Sequence, residues 1–320
     1  MTDCSHWTVP EDLRALYPFK SHFLVRGGLR YHYLDQGTGE SVVMVHGNPT
    51  WSFYFRRVVD ALSPDYRCIV PDHMGCGLSD KPDASRYDFS LQSRLDDFSA
   101  LMDHLALDRV TLMVHDWGGM IAMAWAVANP QRVSRIIVTN TAGFFPPGSK
   151  GIPLRLRIIR NLTALARPAV LYGNLFARGA ICMAPRKRLP PAVRRGLLAP
   201  YDRPRHRLAT LCFVQDIPLR PGDPAHDIVD RVDRNLAGLA GLPMLILWGR
   251  HDFVFDVDYY AEWCRRFPHA ERHLFDDAGH YLLEDVPDRI IALAGDFLKR
   301  HPILPDRKIA YATTRAETQP

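Results

Sequence analysis

The chain has 320 residues, of which 47% are hydrophobic and 23% are charged, so it can bury a large core and is not a disordered or low-complexity protein. Its formal net charge of +5 is too small to indicate nucleic-acid binding. The six cysteines are scattered and lack zinc-type spacing, so we expect free thiols, no metal and no disulfide framework. No apolar run is long enough for an export signal or a membrane span, and we therefore expect a cytoplasmic protein.

Short β-branched runs alternate with longer helical patterns over the first 143 residues. The runs are almost continuously apolar, as expected of parallel strands that are covered by helices on both faces. Strands are predicted at 42–45, 67–70, 110–114 and 135–138, and helices at 51–62, 91–105 and 119–128. This alternation predicts an α/β fold with a mostly parallel, doubly wound sheet.

The alternation stops after Thr141. Residues 144–232 hold 12 of the 25 prolines, and 16 Lys and Arg residues against five Asp and Glu residues, with a helical pattern at 152–171. We interpret this segment as an inserted helical cap.

The alternation resumes near residue 242. A strand at 244–248, a helix near 259–266, a strand at 270–275 and a closing helix at 287–300 follow. The predicted division is a core at 1–143 and 233–303, a cap at 144–232 and a flexible tail at 304–320.

Asp116 lies where the third predicted strand turns into a helix, and open α/β sheets place their sites at such carboxyl ends. Gly118 and Gly119 permit a sharp turn that lifts the side chain into the cleft, as in the G-x-S-x-G motif, so the nucleophile here would be a carboxylate. An isolated Asp at this place is more often a helix N-cap. However, Asp252 and His280 also follow strands, in the chain order nucleophile, acid, histidine. We therefore predict a catalytic triad of Asp116, Asp252 and His280.

The segment His46-Gly-Asn-Pro49 follows the first predicted strand. A tight turn would bring the backbone N–H of Asn48 opposite that of Trp117, where both would face a developing negative charge. The side chains of the two residues also carry N–H donors. The pair is predicted to hold an anionic leaving group, with a plain loop as the alternative.

Three motifs make the chain resemble the α/β-hydrolase superfamily and, within it, the haloalkane dehalogenases, over about residues 20–302: His46-Gly-Asn-Pro-Thr50, Pro71-Asp-His-Met-Gly-Cys-Gly-Leu-Ser-Asp80 and His115-Asp-Trp-Gly-Gly119. The resemblance implies that Asp116 is the nucleophile, His280 the base and Asp252 the acid, and that Asn48 and Trp117 hold the leaving anion. Some dehalogenases take a second tryptophan from the cap, which has none here. Some relatives place the acid after the sixth strand, where 139–142 offers no carboxylate.

The segments 80–87, 189–195, 199–202 and 213–219 resemble a dehalogenase-like branch, the β-lactone decarboxylases of bacterial long-chain olefin biosynthesis. This resemblance implies that a cis-β-lactone with two long alkyl chains is converted to a cis-alkene and CO2 through an alkyl ester on Asp116, without a cofactor. A haloalkane dehalogenase, in which His280 activates water, is the main alternative.

Two weaker alternatives stay open. An epoxide hydrolase would need two tyrosines from the cap, which supplies only Tyr172 and Tyr201. A non-catalytic binding module is also compatible with the fold, although the intact triad argues against it.

The expected partner is a small lipid-like substrate, and no nucleic acid is expected. Nine apolar residues are predicted to line its channel: Phe144, Phe145, Ile152, Leu154, Leu156, Ile158, Ile159, Leu162 and Leu165. The same spacing also suits an ordinary core. The basic residues of 186–188 and 194–195 suggest peripheral membrane contact, with a solvated arginine-rich face as the alternative. Assembly with other enzymes of olefin biosynthesis is a further hypothesis.

Overall fold

The computed structural model describes residues 7–148 and 150–303, so the tail predicted at 304–320 lies outside the described residues. One eight-stranded sheet occupies the centre. Its strands are β1 (Ser21–Arg26), β2 (Leu29–Gln36), β3 (Ser41–Val45), β4 (Arg67–Pro71), β5 (Val110–Asp116), β6 (Val133–Thr141), β7 (Met244–Gly249) and β8 (Glu271–Phe275). The order across the sheet is β1-β2-β4-β3-β5-β6-β7-β8, and all pairs from β4 to β8 are parallel. The predicted α/β fold with a mostly parallel sheet is confirmed.

Twelve α-helices connect or cover these strands in the described part of the chain. They are α1 (Arg56–Leu62), α2 (Leu91–His104), α3 (Trp117–Ala128), α4 (Leu154–Asn161), α5 (Thr163–Leu171), α6 (Leu175–Met183), α7 (Pro191–Leu198), α8 (Leu208–Gln215), α9 (His226–Asn235), α10 (Val257–Arg266), α11 (Leu282–Asp285) and α12 (Pro287–Arg300). No helix of 7–148 or 150–303 has both the length and the hydropathy that crossing a bilayer requires.

The apolar strands are buried on both faces because successive side chains of a strand point to opposite sides of the sheet. Val43 and Val45 of β3 pack in one hydrophobic cluster with α3, whereas Val42 and Met44 pack in a second cluster with α1 and α12. The centre of the sheet is thus a rigid layer between two sets of helices.

The sequence pattern missed the hairpin of β1 and β2, which pair antiparallel with each other, as β2 does with β4. All six side chains of β1 are exposed or half-buried, and both strands carry polar residues, so they form no long apolar run. Gly27 and Gly28 both have positive φ in the connecting turn, as two-residue hairpin turns require. The Gly-Gly dipeptide was therefore a usable signal for this hairpin.

The segment after β6 is helical, with α4 to α8 above the carboxyl edge of the sheet. The helix predicted at 152–171 is two helices, because the chain turns at Leu162, where ψ is 56°. The proposed cap boundary at residue 232 falls inside α9. The apolar face of α9, including Ile228 and Val232, packs in the same cluster as the core helix α3.

Candidate active site

Asp116 ends β5 and immediately precedes α3, with a φ of 52° that is uncommon for a residue other than glycine. Two glycines allow this elbow to pack closely. A Cβ atom at Gly118 would collide with the carbonyl oxygen of Val45, and one at Gly119 would collide with the hydroxyl of Thr141. The Thr141 hydroxyl donates a hydrogen bond to the Asp116 carbonyl. The elbow therefore presents the Asp116 side chain at the carboxyl edge of the sheet.

The three residues of the predicted triad lie together at this edge, and all are buried. His280 Nδ1 is 2.7 Å from Asp252 Oδ2, and His280 Nε2 is 3.6 Å from Asp116 Oδ2. The other oxygen of Asp252 accepts hydrogen bonds from the backbone N–H groups of Val254 and Phe255. Asp252 thus fixes the tautomer and orientation of His280, whose opposite nitrogen points toward Asp116.

Burial and neighbouring charges shift the pKa values of Asp116 and His280 in opposite directions. Burial raises the pKa of Asp116, although His280 and the N–H groups of Asn48 and Trp117 offset part of this effect. For His280, burial alone would lower the pKa, but the carboxylates of Asp252 and Asp116 outweigh it and the net shift is upward. The site therefore favours a positively charged His280 beside the Asp116 carboxylate.

The two oxygens of Asp116 have different surroundings. Oδ1 accepts the backbone N–H of Asn48 at 2.7 Å, and the backbone N–H of Trp117 also hydrogen-bonds to this carboxylate. Oδ2 faces His280. The N–H groups predicted to face a developing negative charge therefore hold the carboxylate of the predicted nucleophile, and Oδ2 is its oxygen on the side of His280.

The side chains of Asn48 and Trp117 also border the cavity above Asp116. Asn48 Nδ2 donates to the Thr210 carbonyl at 2.9 Å, and because an amide nitrogen carries two hydrogens, a second donor remains for an anion. The Trp117 ring packs against Phe213, with 5.5 Å between ring centroids. Thr210 and Phe213 belong to α8, so a cap helix positions both members of the predicted leaving-anion pair.

Sequence reasoning missed Asn140 at the end of β6. Its Nδ2 donates to Asp252 Oδ2 at 2.8 Å, and its Oδ1 accepts the N–H of Gly249 at 2.8 Å. The Asn140 side chain thereby links the ends of β6 and β7 and fixes the same carboxylate oxygen that His280 uses. The sequence does contain a signal for this role, because Asn140 lies at the end of the sixth strand, near the place where some relatives have the acid, and its amide can support an acid at another position.

His115 supports His280 from below and was also missed as a contributor. His115 Nε2 lies 2.9 Å from the backbone carbonyl of His280, to which it donates, and the two rings are 4.7 Å apart. Burial holds the pKa of His115 well below its usual range, and the charge of His280 lowers it further. A neutral His115 thus anchors His280 without adding a second positive charge.

A cavity of about 440 Å³ opens above Asp116, and its walls are almost entirely apolar. Seven of the nine predicted channel residues border it: Phe144, Phe145, Ile152, Leu156, Ile158, Ile159 and Leu165. Leu154 and Leu162 are exposed instead. Because the cavity reaches the carboxylate, an alkyl substrate can bring a reactive carbon to Asp116 while its chains remain out of water.

The two cap tyrosines that an epoxide hydrolase would need do not border this cavity. Tyr172 is 75% exposed, whereas Tyr201 is buried and its hydroxyl donates to the Thr50 carbonyl. Neither tyrosine can protonate a ring oxygen held near Asp116, so an epoxide hydrolase would lack its general acid here.

The model of the α/β hydrolase fold family matches residues 40–287. A cis-3-alkyl-4-alkyloxetan-2-one decarboxylase of Shewanella oneidensis is 46% identical and covers 89% of this chain and 90% of its own length. A protein of the same name from Xanthomonas campestris is 44% identical, with 87% and 95% coverage. Haloalkane dehalogenase 2 of Mycobacterium tuberculosis is 33% identical, with 87% and 94% coverage. A crystal structure of a haloalkane dehalogenase from Bradyrhizobium elkani superposes with a TM-score of 0.78 at 25% identity, covering 88% of this chain and 98% of the other.

Proposed function

The chain belongs to the α/β-hydrolase family, and from this premise we infer that it is a cis-β-lactone decarboxylase, which releases CO2 from a cis-3-alkyl-4-alkyloxetan-2-one and leaves a cis-alkene. The relatives that carry this name share 44–46% of their residues with the chain, against 33% for the haloalkane dehalogenase. One observation of the structure supports the chemistry: the Asp116 carboxylate borders an apolar cavity while its Oδ1 accepts the backbone N–H of Asn48.

The first step is ring opening at the sp3 carbon C4, which bears the ring oxygen. Asp116 Oδ2 forms a bond to C4 from the side opposite this oxygen, and the C4–O bond breaks. The ring oxygen becomes part of a carboxylate on C3. The side-chain N–H groups of Asn48 and Trp117 stabilise this carboxylate, in the place where a dehalogenase would hold halide.

The second step is loss of CO2 from the alkyl ester. The bond between C3 and the carboxylate breaks, its electron pair forms the double bond to C4, and the bond between C4 and Asp116 breaks. Ring opening inverts C4, and departure of CO2 and Asp116 from opposite faces then gives the cis-alkene from the cis-lactone. Asp116 is regenerated as a carboxylate, and no water or proton is consumed.

The role of His280 follows from the absence of any proton transfer in these two steps. Since neither step moves a proton, His280 acts as an oriented positive charge beside Asp116 rather than as the activator of a water molecule. The raised pKa of His280 is consistent with that role. Walls that are almost entirely apolar further protect the ester from hydrolysis, because water entering the cavity would find few hydrogen-bond partners.

The test is product analysis after incubation of a synthetic long-chain cis-β-lactone in 18O-labelled water, beside long-chain bromoalkanes. We expect alkene and CO2, no oxygen label in the organic product, and little or no bromide release. A labelled β-hydroxy acid would move the protein to the hydrolases, and rapid bromide release would make it a dehalogenase.

Three wider proposals accompany this function. The core at 1–143 and 233–303 performs the chemistry, and the cap at 144–232 selects the substrate. The cap contacts a membrane surface. The enzyme also assembles with other enzymes of olefin biosynthesis, which co-purification of the full chain with the enzymes that form its lactone would test.

A further inference from the structure

The cavity reaches the surface between the cap helices α4, α5 and α6. Several residues that border it are at the same time exposed, among them Ile158, Leu165, Leu175 and Met183. Leu165 is 72% exposed and Leu175 is 60% exposed, although both are large and apolar. The mouth of the cavity is therefore apolar on its outer side as well as its inner side.

Further exposed apolar side chains lie on the same helices or in the turns beside them. We call the whole set the apolar rim, and it consists of Leu154, Ile158, Leu162, Leu165, Tyr172, Leu175 and Met183. These are seven of the twelve large apolar side chains that are exposed within the described residues, and all belong to α4–α6 or the turns beside them. Single exposed leucines are common, but a concentration of this kind marks a surface that something covers.

The charge of the same helices is one-sided. Arginines occur at 155, 157, 160, 167 and 178, and no Asp or Glu occurs in the sequence between Asp116 and Asp202. Arg160 pairs with Asp223, whereas no ion pair of the described residues involves Arg157, Arg167 or Arg178. Exposed arginines interleaved with exposed leucines are typical of helices that lie in the headgroup region of an anionic bilayer.

The basic residues that sequence analysis assigned to membrane contact are less available. Lys187 pairs with Asp277, and Arg195 pairs with Asp12. These acidic partners neutralise part of that run, so the structure moves the membrane-facing surface from 186–195 to α4–α6.

We propose that the apolar rim and its arginines dock on an anionic lipid surface, with the mouth of the cavity facing the bilayer. A lipid surface fits better than an acidic protein because the cavity behind the rim is apolar and a dialkyl lactone itself partitions into a bilayer. That last argument rests on the proposed function. Docking would let the substrate enter, and the alkene leave, without crossing water.

The test is co-sedimentation of the full chain with vesicles of phosphatidylglycerol and phosphatidylcholine, compared with vesicles of phosphatidylcholine alone. We expect binding to the anionic vesicles that weakens with salt. The charge variant Arg157→Gln/Arg167→Gln/Arg178→Gln is expected to lower vesicle affinity on the order of 100-fold. The rim variant Leu154→Gln/Leu162→Gln/Tyr172→Gln is expected to lower it about tenfold or more.

Control variants on the core remove the same charge and, separately, one exposed apolar side chain. Arg57→Gln/Arg289→Gln/Arg300→Gln removes three exposed arginines, and Val25→Gln replaces an exposed apolar residue of β1. Both controls should bind vesicles like wild type. Thermal unfolding and turnover of a short, water-soluble lactone should be unchanged in the rim and charge variants, which would show that they are folded.

Three outcomes would overturn the docking proposal: no binding to anionic vesicles, equal loss of binding in the controls, or a dimer that the rim variant dissociates without any vesicle binding. The last outcome would make the rim an interface between two copies of this chain. Failure of the proposed function is a separate result, because vesicle binding would persist while no alkene forms from any lactone.

Discussion

The carboxyl edge of the sheet fixes its side chains by hydrogen bonds, whereas the cap surrounds the same cavity with side chains that mainly pack. Asp252, for example, is held by His280, Asn140 and two backbone N–H groups. By contrast, cap residues such as Leu165 and Leu175 are largely exposed at the mouth. Hydrogen bonds specify position to a fraction of an ångström, while apolar packing tolerates changes of size. We therefore expect that the chemistry and the choice of substrate can be altered separately.

A second buried network explains why the core edge is rigid. Asp72 accepts the backbone N–H groups of Ser52 and Leu78 and lies 2.8 Å from His32 Nδ1. Burial would raise the pKa of Asp72, but the two histidines beside it and its hydrogen bonds lower it well below the usual range. His73 then ties this segment to His46 through two hydrogen bonds. Hydrogen bonds between the motifs at 46–50 and 71–80 thus hold the turn that contains the Asn48 N–H.

The comparison predicts that loss of the nucleophile removes activity for every substrate. Asp116→Ala should lower turnover about 10,000-fold or more, because no other carboxylate replaces the attacking oxygen. The measurement is alkene formation with lactones of several chain lengths. The exposed Asp65→Ala variant serves as control, and thermal unfolding should show that both variants are folded. Near-normal turnover by folded Asp116→Ala would refute the mechanism.

The predicted leaving-anion pair, Asn48 and Trp117, links the two regions, since α8 of the cap contacts both residues. Trp117→Phe and Asn48→Ala should each slow ring opening by about 10- to 1000-fold, the range expected for loss of one preorganised anion donor. Single-turnover rates measure this step. The control is Asn235→Ala, an exposed asparagine whose amide also donates to a backbone carbonyl. Rates equal to wild type would mean that other groups hold the carboxylate.

Asn140 tests the core edge without touching the substrate. Asn140→Ala leaves Asp252 with one donor fewer and the N–H of Gly249 without its acceptor. We expect kcat to fall about 10- to 100-fold, as for loss of a buried hydrogen bond to a charged group, with little change in KM. Asn235→Ala is again the control. If kcat does not change, the N–H groups of Val254 and Phe255 suffice to hold Asp252.

The difference between buried and exposed elements explains which parts of the fold and site could be predicted from the sequence. The parallel strands were predictable because strands buried on both faces, such as β5, form continuous apolar runs. The residues of the predicted triad were identifiable because each lies at or after the end of a predicted strand, although their roles stay predictions. The hairpin of β1 and β2 was missed since one of its faces is half exposed.

Other features depend on which elements become neighbours. Asn140 and Asp252 are 112 positions apart and meet only because β6 and β7 pair in the sheet. The break at Leu162 is equally invisible in an apolar pattern that continues through it. Helical periodicity also could not distinguish cavity residues such as Leu156 from exposed ones such as Leu154.

The smallest expected effect belongs to a cap variant that should change the substrate and leave the chemistry intact. Ala169 on α5 borders the cavity, so Ala169→Phe places a ring in the space for an alkyl chain. Each methylene kept from the cavity loses roughly 0.8 kcal/mol of transfer free energy. We therefore expect kcat/KM to fall about fourfold for each methylene that no longer fits, while the shortest lactone is turned over as by wild type.

The control for this variant is Ala240→Phe, which adds the same ring at an exposed position that does not border the cavity. The measurement is kcat/KM for a series of lactones that differ only in chain length. A uniform loss at every chain length would contradict the separation of core and cap, because a change in the cap would then have altered the chemical step. An unchanged profile would place the alkyl chains elsewhere than beside α5. A loss of kcat/KM that is confined to long chains would support the proposal that the cap selects the alkyl chain length while the carboxyl edge of the core carries out the reaction.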